Sequence, residues 1–354
     1  TLLKHSMRLI LFLSSIFNLK LYSRDVKQAY LQSETAFQRD LYLRPPRGYD
    51  TGAKDVLLKV KKPLYGIKEA GTYWHDTYEG FFREDIGMEA FILDPCLLYK
   101  ILDEKLIGIS GIIVDDSLEA GSDEFIIFED QKCSKFTMTP KEMKDFYFSG
   151  CRIRQVAGEA VLDQQQYISG VTLKSLEPNA KMFSTVRGKL SWCAYSSRPD
   201  LAYYVAKLSQ VKPDVVRLED IKLLKKAIKL LRKYKVGLKY PKLDTGSMYI
   251  AVYSDASFAT NWDYSSQLGY VALIADGQGR SCWLHWNSYK SSRVTRSVLG
   301  SEVYAFCDAM DIGLSLSIAL EPILLRRLPI RMFTDSKSLF DTITGRSQTS
   351  ESTI

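Results

Sequence analysis

Two adjacent carboxylates, Asp115 and Asp116, follow an apolar, β-branched run and precede a second short run. The stretch over residues 106–121, LIGISGIIVDDSLEAG, predicts a β-hairpin that carries the two acids at its tip. Carboxylates at a tight turn repel each other, and a divalent cation between them relieves that repulsion. The pair is therefore a candidate cation site, and a plain solvated turn is the alternative.

A third carboxylate, Asp25, stands at the end of a predicted strand over residues 20–26, and the aromatic Tyr30 follows five positions later. Three aspartates from two neighbouring strands suit two cations, which lie roughly 3.5–4 Å apart in two-metal enzymes. We therefore predict that Asp25 joins the acids of the hairpin. The alternative is that it only caps the turn that follows.

Three further acids occupy comparable places in the last part of the chain. Asp255 and Asp335 each end a predicted strand, and Glu302 lies one turn into a predicted helix. Strand ends bring carboxylates to one edge of a sheet, and a helix that crosses this edge adds another. Taken singly, each acid is a cap or turn residue. Together they predict a second two-metal site, suited to placing a water against a phosphodiester.

A turn-rich segment over residues 63–74, PLYGIKEAGTYW, combines aromatic, glycine and lysine residues. Gly66 allows the backbone to approach a flat ligand, and Lys68 supplies a positive charge. These features are typical of a nucleotide pocket. A packed turn has the same composition, so both interpretations stay open.

Residues 218–234, LEDIKLLKKAIKLLRKY, predict an amphipathic helix because apolar residues recur at helical spacing. The other face carries six basic side chains, which are Lys222, Lys225, Lys226, Lys229, Arg232 and Lys233. Such a face is either a solvated surface or, beside a nucleic-acid site, a track for phosphates.

Length and composition limit the class of protein. The 354 residues are enough for two or more domains, and the 46% of hydrophobic residues exclude a disordered chain. A formal charge of +7 weakly favours a polyanionic partner. The dispersed cysteines indicate neither a zinc site nor a disulfide framework, and they favour a reducing compartment. The apolar run over residues 7–19 is too short to span a bilayer and predicts a buried helix.

The order of the predicted elements indicates an α+β chain. Mostly strands come first, helical segments follow, and a linker of turn-forming residues over 237–246 comes next. Three strands, a helix, a strand and a helix then complete the pattern of a mixed α/β domain. We therefore predict three regions: residues 1–170, residues 171–246 with the linker at their end, and residues 247–354.

Eight blocks of the chain resemble the reverse transcriptase and ribonuclease H region of copia-type LTR retrotransposon Pol polyproteins. They occur in the family's order and cover nearly the whole chain, and the last three are typical of fungal copia-like elements. The blocks are DVKQAYLQ, LYLRPPRGY, PLYGIKEAGTYW, DPCLLY, VDDSLEAG, SDASFATNWDYSSQLGYV, SSRVTRSVLGSEVYAF and FTDSKSLFD. The resemblance implies a reverse-transcriptase palm and partial fingers over residues 1–170, a helical thumb or connection over 171–246, and a ribonuclease-H-like domain over 247–354.

The resemblance also implies roles for the site residues. Asp25, Asp115 and Asp116 hold two Mg²⁺ ions, which Mn²⁺ can replace, and these ions activate the primer 3′-hydroxyl and steady the leaving pyrophosphate. Tyr30 falls where the family keeps an aromatic residue that excludes the ribose 2′-hydroxyl. Three residues line the incoming nucleotide and the template, and these are Tyr65, Gly66 and Lys68. Three acids hold the two ions that cleave the RNA of an RNA–DNA hybrid, and these are Asp255, Glu302 and Asp335.

The implied partners are an RNA template, a DNA primer, an RNA–DNA hybrid and deoxynucleoside triphosphates, with no membrane. The resemblance further implies flanking integrase and protease regions, and a cytoplasmic virus-like particle with access to the nucleus rather than secretion. Compared with the family, we expect the chain to be truncated at both ends, with finger strands ahead of Thr1 and a fourth ribonuclease H carboxylate beyond Ile354.

Two alternatives to a working polymerase stay open. The chain is a degenerate, catalytically inactive remnant that at most binds nucleic acid through its basic surface, or it is a ribonuclease H that acts alone. The first retains binding without synthesis, and the second requires the last domain to fold without the first.

Overall fold

The computed structural model describes residues 1–35, 37, 39–49, 52, 56–173 and 179–346. The chain divides into two compact units and passes between them more than once. The first unit contains residues 1–3 and 21–143, and the second contains residues 4–20 and the residues from 144 onward. Both units combine helices with strands, which confirms the predicted α+β class.

The helices and strands agree closely with those predicted from the sequence. In chain order they are α1 (Lys4–Phe17), β1 (Lys20–Asp25), β2 (Tyr42–Leu43), β3 (Leu58–Lys59), α2 (Ala70–Gly80), β4 (Glu89–Phe91), β5 (Asp94–Leu102), β6 (Lys105–Ile113), β7 (Asp116–Gly121), α3 (Asp123–Cys133), β8 (Glu142–Met143), β9 (Asp145–Phe148), β10 (Cys151–Val156), β11 (Glu159–Asp163), α4 (Gln165–Ser169), α5 (Ala180–Ser196), α6 (Ala202–Ser209), α7 (Leu218–Lys233), β12 (Leu238–Tyr240), β13 (Tyr249–Ser257), β14 (Gln267–Ala275), β15 (Ser281–Lys290), α8 (Val298–Leu324), β16 (Ile330–Phe333) and α9 (Lys337–Ile343).

The first unit is built on a six-stranded sheet with the strand order β4-β5-β6-β7-β1-β8. β6 and β7 form the predicted hairpin, in which Ile113 pairs with Asp116. Gly108 pairs with Gly121 across this hairpin, and a Cβ atom at either position would overlap the Phe125 ring. The two glycines therefore let α3 pack directly against the hairpin.

Aromatic side chains from α2 and the turn after it fill the core of the first unit. Trp74 and Tyr78 stack with their ring centroids 5.0 Å apart, and Phe136 meets both rings edge-on. Phe81 and Phe82 complete the cluster, and all five side chains are buried. Burial of each such side chain contributes on the order of 1.5–3 kcal/mol, so α2 is firmly attached to the sheet.

The second unit contains two four-stranded sheets, with the strand orders β12-β11-β10-β9 and β15-β14-β13-β16. In the latter sheet β13 and β16 are parallel, and α8 packs against β13 and β14. α1 packs against β11, β12 and β15 and is buried on nearly every side. Its polar side chains are buried with the apolar ones; the Arg8 guanidinium, for example, donates hydrogen bonds to the Leu284 and Tyr195 carbonyls.

α7 is the predicted amphipathic helix. Ile221, Leu224 and Leu231 are buried among α5 and α6, and the six basic side chains of the opposite face are exposed. The helix begins at a cap in which the Asp220 carboxylate accepts a hydrogen bond of 2.8 Å from the backbone N–H of Arg217. The basic face is thus available to solvent, and its use as a phosphate track stays a prediction.

The structure differs from the predicted elements in two places. Part of the predicted linker is a strand, β12, in which Tyr240 pairs with Ala160 of β11. The stretch over residues 146–154 is split into β9 and β10 by a turn at Ser149 and Gly150, which both have positive φ angles. β12 forms because it pairs with β11, and residues 146–154 are divided because a two-residue hairpin turn interrupts them.

By length and composition, α8 is the one helix among the described residues that could cross a membrane. It covers β13 and β14, and its Gly313 packs so closely that an added Cβ would lie 3.1 Å from Val252 and 3.2 Å from Ile330. Helices that cover the core of a sheet pass the same test of length and composition. We therefore describe α8 as a packing helix of the second unit.

Candidate active sites: two carboxylate clusters

The hairpin turn presents Asp115 in a tightly held backbone conformation. Val114 has a φ angle of 54°, which is rare for a β-branched residue and costs on the order of 1–3 kcal/mol. Two hydrogen bonds hold the turn: the Trp74 indole N–H donates to the Val114 carbonyl at 2.7 Å, and the Val26 N–H donates to the Asp115 carbonyl at 2.9 Å. The second bond ties the turn to the residue after Asp25.

Asp25 and Asp116 lie on neighbouring strands, since β1 is next to β7 in the sheet. Burial, followed by the charges of Asp25 and Asp115, raises the pKa of Asp116 to about 6, so the three carboxyls interact. The structure therefore places the three predicted aspartates near one another. Repelling carboxylates of this kind suit a divalent cation such as Mg²⁺, although their oxygens do not all meet within 4.8 Å as those of the second cluster do.

Two tyrosines stand beside these aspartates. The rings of Tyr30 and Tyr65 lie 4.4 Å apart between centroids, and Tyr65 is exposed. Burial, the charge of Asp115, and then Tyr30 and Asp25 raise the pKa of Tyr65, so this hydroxyl lies close to the acids. The pair forms an aromatic wall next to the cluster.

Gly66 and Lys68 lie in the turns between Tyr65 and α2. Gly66 has a φ angle of 95° and open space where a Cβ atom would stand, so its role is conformational rather than one of close packing. Lys68 is exposed in the turn that leads into α2. Both residues are accessible to solvent, as residues that contact a ligand must be.

The second cluster forms at one end of the sheet in the second unit. β13 and β16 are parallel neighbours with Tyr253 opposite Phe333, and this register carries Asp255 and Asp335 side by side two residues later. α8 begins at Ser297, whose hydroxyl accepts a hydrogen bond of 2.9 Å from the Gly300 N–H. This start places Glu302 in the first turns of the helix, above the two aspartates.

Among the residues that the structure describes, Asp255, Glu302 and Asp335 are the one group of three acids whose ligand oxygens all lie within 4.8 Å of one another, close enough to hold one metal ion. Burial, then the charges of Asp255 and Asp335, raises the pKa of Glu302 to about 7. Its Oε2 atom is buried and has no hydrogen-bond partner in the protein. An unpartnered buried acceptor between two carboxylates fits a divalent cation.

A comparison with protein families decides how the first cluster is interpreted. One family model, described as reverse transcriptase (RNA-dependent DNA polymerase), matches residues 2–186. These residues are more than half of the chain and include Asp25, Asp115 and Asp116. The chain belongs to the reverse transcriptase family.

Curated relatives of this reverse transcriptase are Pol polyproteins of transposons. The chain is 25% identical over 378 residues to the retrovirus-related Pol polyprotein from transposon TNT 1-94 of Nicotiana tabacum, a match over 95% of this chain and 27% of that protein. It is 26% identical to the polyprotein from transposon RE1 of Arabidopsis thaliana, over 78% of this chain and 20% of that one. It is 24% identical to the Ty1-GR3 Gag-Pol polyprotein of Saccharomyces cerevisiae, over 92% and 20%.

These relatives confirm the resemblance to copia-type Pol polyproteins, and the chain spans about a quarter or less of their length. Among solved structures, a foamy viral protease-reverse transcriptase in complex with an RNA/DNA hybrid superposes with a TM-score of 0.49 and 11% identity, over 95% of this chain and 42% of that one. The fungal origin stays a prediction.

Sequence reasoning missed a set of buried ionisable side chains in the first unit. Arg24, Glu119 and Glu129 are each at most 6% exposed. Two of them lie in the motifs that carry the aspartates, because Arg24 precedes Asp25 and Glu119 interrupts the apolar strand that follows Asp116. A charge in the middle of a buried strand was the available signal.

Proposed function

We propose that the chain is an RNA-directed DNA polymerase with an attached ribonuclease H domain from a copia-type Pol polyprotein. The observation that carries the proposal is the meeting of Asp25, Asp115 and Asp116 within a region that matches the reverse transcriptase family. The proposal extends from the family to the reaction: template-directed addition of deoxynucleotides to a primer, with an RNA template.

In the polymerase site, Asp25, Asp115 and Asp116 would hold two Mg²⁺ ions, with Mn²⁺ as a substitute. When bound, the ions lower the pKa of the primer 3′-hydroxyl and neutralise charge on the leaving pyrophosphate. The strained turn at Val114 fixes the direction of Asp115, and the Asp25–Asp116 contact keeps two carboxyls at one point.

The residues beside the aspartates would select the nucleotide. Tyr30 would exclude the ribose 2′-hydroxyl, because its ring forms one side of the aromatic wall next to the acids. Tyr65, Gly66 and Lys68 would line the incoming deoxynucleoside triphosphate and the template. Lys68 supplies a positive charge for phosphates, and Gly66 leaves open space for them.

In the second unit, Asp255, Glu302 and Asp335 would hold the two ions that cleave the RNA strand of an RNA–DNA hybrid. The orphaned Oε2 atom of Glu302 and the mutual approach of the three carboxylates support this assignment. Glu302 would hold a proton at its carboxyl near neutral pH until a cation displaces it, because burial and the two aspartates disfavour its charged form.

The proposal includes the predicted division into a palm and partial fingers over residues 1–170, a connecting region over 171–246 and a ribonuclease-H-like domain over 247–354. Its partners would be an RNA template, a DNA primer, the hybrid and deoxynucleoside triphosphates, with integrase and protease regions flanking it in a polyprotein. Its place would be a cytoplasmic virus-like particle with access to the nucleus.

Primer extension tests the polymerase assignment. A DNA primer on a homopolymeric RNA template is incubated with Mg²⁺ or Mn²⁺ and either the chain or its Asp115→Asn variant. We expect incorporation by the chain and none by the variant, with template binding nearly equal, because the substitution weakens cation coordination but leaves phosphate contacts unchanged. Template binding without incorporation by the unchanged chain would identify an inactive remnant. Incorporation by both would refute the assignment of Asp115.

A further inference from the structure

A network of buried polar and charged side chains lies within the sheet and helix that carry the polymerase aspartates. We call it the buried charge network, and its members are Tyr22, Arg24, Ser117, Glu119 and Glu129. Tyr22 and Arg24 belong to β1, Ser117 and Glu119 to β7, and Glu129 to α3. All five are buried, and the two glutamates are completely inaccessible to solvent.

Arg24 is the centre of the network. Its Nη2 atom lies 2.6 Å from Glu129 Oε2, and its Nε atom lies 3.7 Å from Glu119 Oε1. The Tyr22 hydroxyl donates a hydrogen bond of 2.5 Å to Glu129, and the Ser117 hydroxyl donates one to Glu119. One guanidinium therefore joins β1, β7 and α3.

Each of the two glutamates has one carboxyl oxygen that accepts no hydrogen bond. Glu119 Oε2 and Glu129 Oε1 are both buried without a donor, although the two carboxyls are in contact. A single proton between them gives each oxygen a partner. Burial, then the charge of Glu119, raises the pKa of Glu129 well above its usual range, so the pair holds one proton and one negative charge.

Strand geometry relates the network to the catalytic acids. Successive side chains of a strand point to opposite faces, so Arg24 lies on the face opposite to Asp25. For the same reason, Ser117 and Glu119 lie on the face opposite to Asp116. The network thus underlies the site, on the two adjacent strands that supply Asp25 and Asp116.

We propose that Arg24, Glu119 and Glu129 are positioning residues that hold the strands of Asp25 and Asp116 in the register needed to bind cations, without placing a net charge beneath them. The inference rests on the proposed polymerase function. With one proton on the glutamate pair, Arg24 and Lys141 balance the one remaining glutamate charge and Asp130. Asp130 lies 3.0 Å from Arg24 and also pairs with Lys141. An unbalanced positive charge on Arg24, buried beneath the aspartates, would repel Mg²⁺ on the other face of the sheet.

The test compares Glu119→Gln, Glu129→Gln and the double variant that carries both substitutions. In either single variant the remaining carboxyl loses the shared proton and keeps the one negative charge beside Arg24, whereas the double variant leaves Arg24 with one balancing charge fewer. All three are made in the full chain with Asp335→Asn, which weakens the second cluster. Mn²⁺ binding is measured by electron paramagnetic resonance without nucleic acid, so the readout does not depend on catalysis.

We expect each single variant to keep the Mn²⁺ dissociation constant within about twofold, and the double variant to raise it on the order of tenfold. A tenfold loss in either single variant would contradict the single charge of the pair. No change in the double variant, with a lowered melting temperature, would reduce the network to a purely structural role and overturn the proposal.

Two further variants keep the outcomes separate. If the double variant does not fold, the charge-balanced triple variant, which adds Arg24→Met, replaces it, and we expect Mn²⁺ affinity within about threefold of the parent. A tenfold loss in that folded variant would contradict the charge argument. Asp116→Asn in the same background must weaken Mn²⁺ binding; if it does not, the proposed polymerase site itself fails.

Discussion

The aspartates of the first cluster occupy a two-residue turn and the ends of two neighbouring strands, whereas the acids of the second cluster lie at the ends of a parallel strand pair and in a long helix. The turn is held in a rare backbone conformation by hydrogen bonds from Trp74 and Val26. The second cluster depends instead on the register of β13 with β16. One site is therefore maintained by local backbone constraints, and the other by sheet pairing.

The two clusters also differ in the groups that surround their buried carboxyls. Asp116 and Glu302 have pKa values raised to about 6 and about 7, and in each case burial is the largest cause. Beneath Asp116 lies the buried charge network, which ties its strand to that of Asp25. Glu302 has an unpartnered oxygen instead. The comparison indicates that a cation at the second cluster would supply the hydrogen-bond partner that Glu302 lacks. A cation at the first cluster would relieve repulsion among carboxyls whose strands are already tied together.

The largest expected effect is the separation of the two activities. Asp116→Asn should lower DNA synthesis by at least about a thousandfold, since loss of a cation ligand removes several kcal/mol of transition-state stabilisation, and should leave hybrid cleavage within a few fold. Asp255→Asn should do the reverse. Both are measured on one preparation, by primer extension and by cleavage of a labelled RNA–DNA hybrid. Parallel losses in both assays would mean that the clusters do not act independently.

Removing the charge of Glu302 should stabilise the metal-free protein. Folding raises the pKa of Glu302 from its usual value to about 7, so the free energy of unfolding falls as pH rises between these values. Glu302→Gln should therefore raise the melting temperature of the second unit by about 2–4 °C at pH 8 without divalent cations, a change that corresponds to roughly 1 kcal/mol.

The same variant supplies its own control at pH 5, where Glu302 is already protonated and the difference should nearly vanish. With saturating Mg²⁺ at pH 8 the order should reverse, because only the carboxylate binds the cation. A melting-temperature difference that is equal at both pH values would contradict the assigned cause.

A smaller effect should follow from loosening the hairpin turn. Trp74→Phe keeps the aromatic packing but removes the indole N–H that binds the Val114 carbonyl. We expect a loss of about 1–2 kcal/mol in the free energy of unfolding of the first unit and a weaker response of synthesis to Mg²⁺, with hybrid cleavage unchanged. Trp286→Phe, which loses an indole bond of 2.8 Å to the Ala194 carbonyl in the second unit, is a matched control away from the turn. Equal Mg²⁺ responses in the two variants would mean that the hydrogen bond to the turn does not affect cation binding.

The smallest expected effect concerns the basic face of α7. If this face follows a nucleic-acid backbone, Lys225→Ala with Lys229→Ala should lower the salt slope of hybrid binding by about one to two units. Lys222→Ala with Lys233→Ala, on the same helix, compares charges at other positions. An unchanged slope in both double variants would identify a solvated face.

Much of the fold followed from the sequence because its patterns are local. The alternation before Asp25 and the β-branched run before Asp115 predicted β1 and the hairpin, and the spacing of apolar residues predicted α7. The segment that became β12 was read as a linker, because three residues between Gly237 and Pro241 carry too little pattern. Its strand conformation depends on β11, which lies far away in the sequence.

The candidate site residues were predictable because carboxylates at strand ends are visible in a sequence. The buried charge network was not, since Glu129 reaches Arg24 from a helix more than a hundred positions later. A single sequence shows that Glu119 interrupts an apolar strand, but not which cation neutralises it. Such partners become visible only when the alternation of two strands and the packing of α3 are known together.

The burial of α1 has a consequence for the synthesis of the protein. This helix belongs to the second unit and packs against β15, yet it ends at residue 17 while β15 begins at residue 281. At about 5–20 residues per second, roughly 13–50 s pass between the two on a ribosome. β11 and β12 are made earlier and can cover part of the helix, but the side of α1 that packs against β15 stays without its partner for that time.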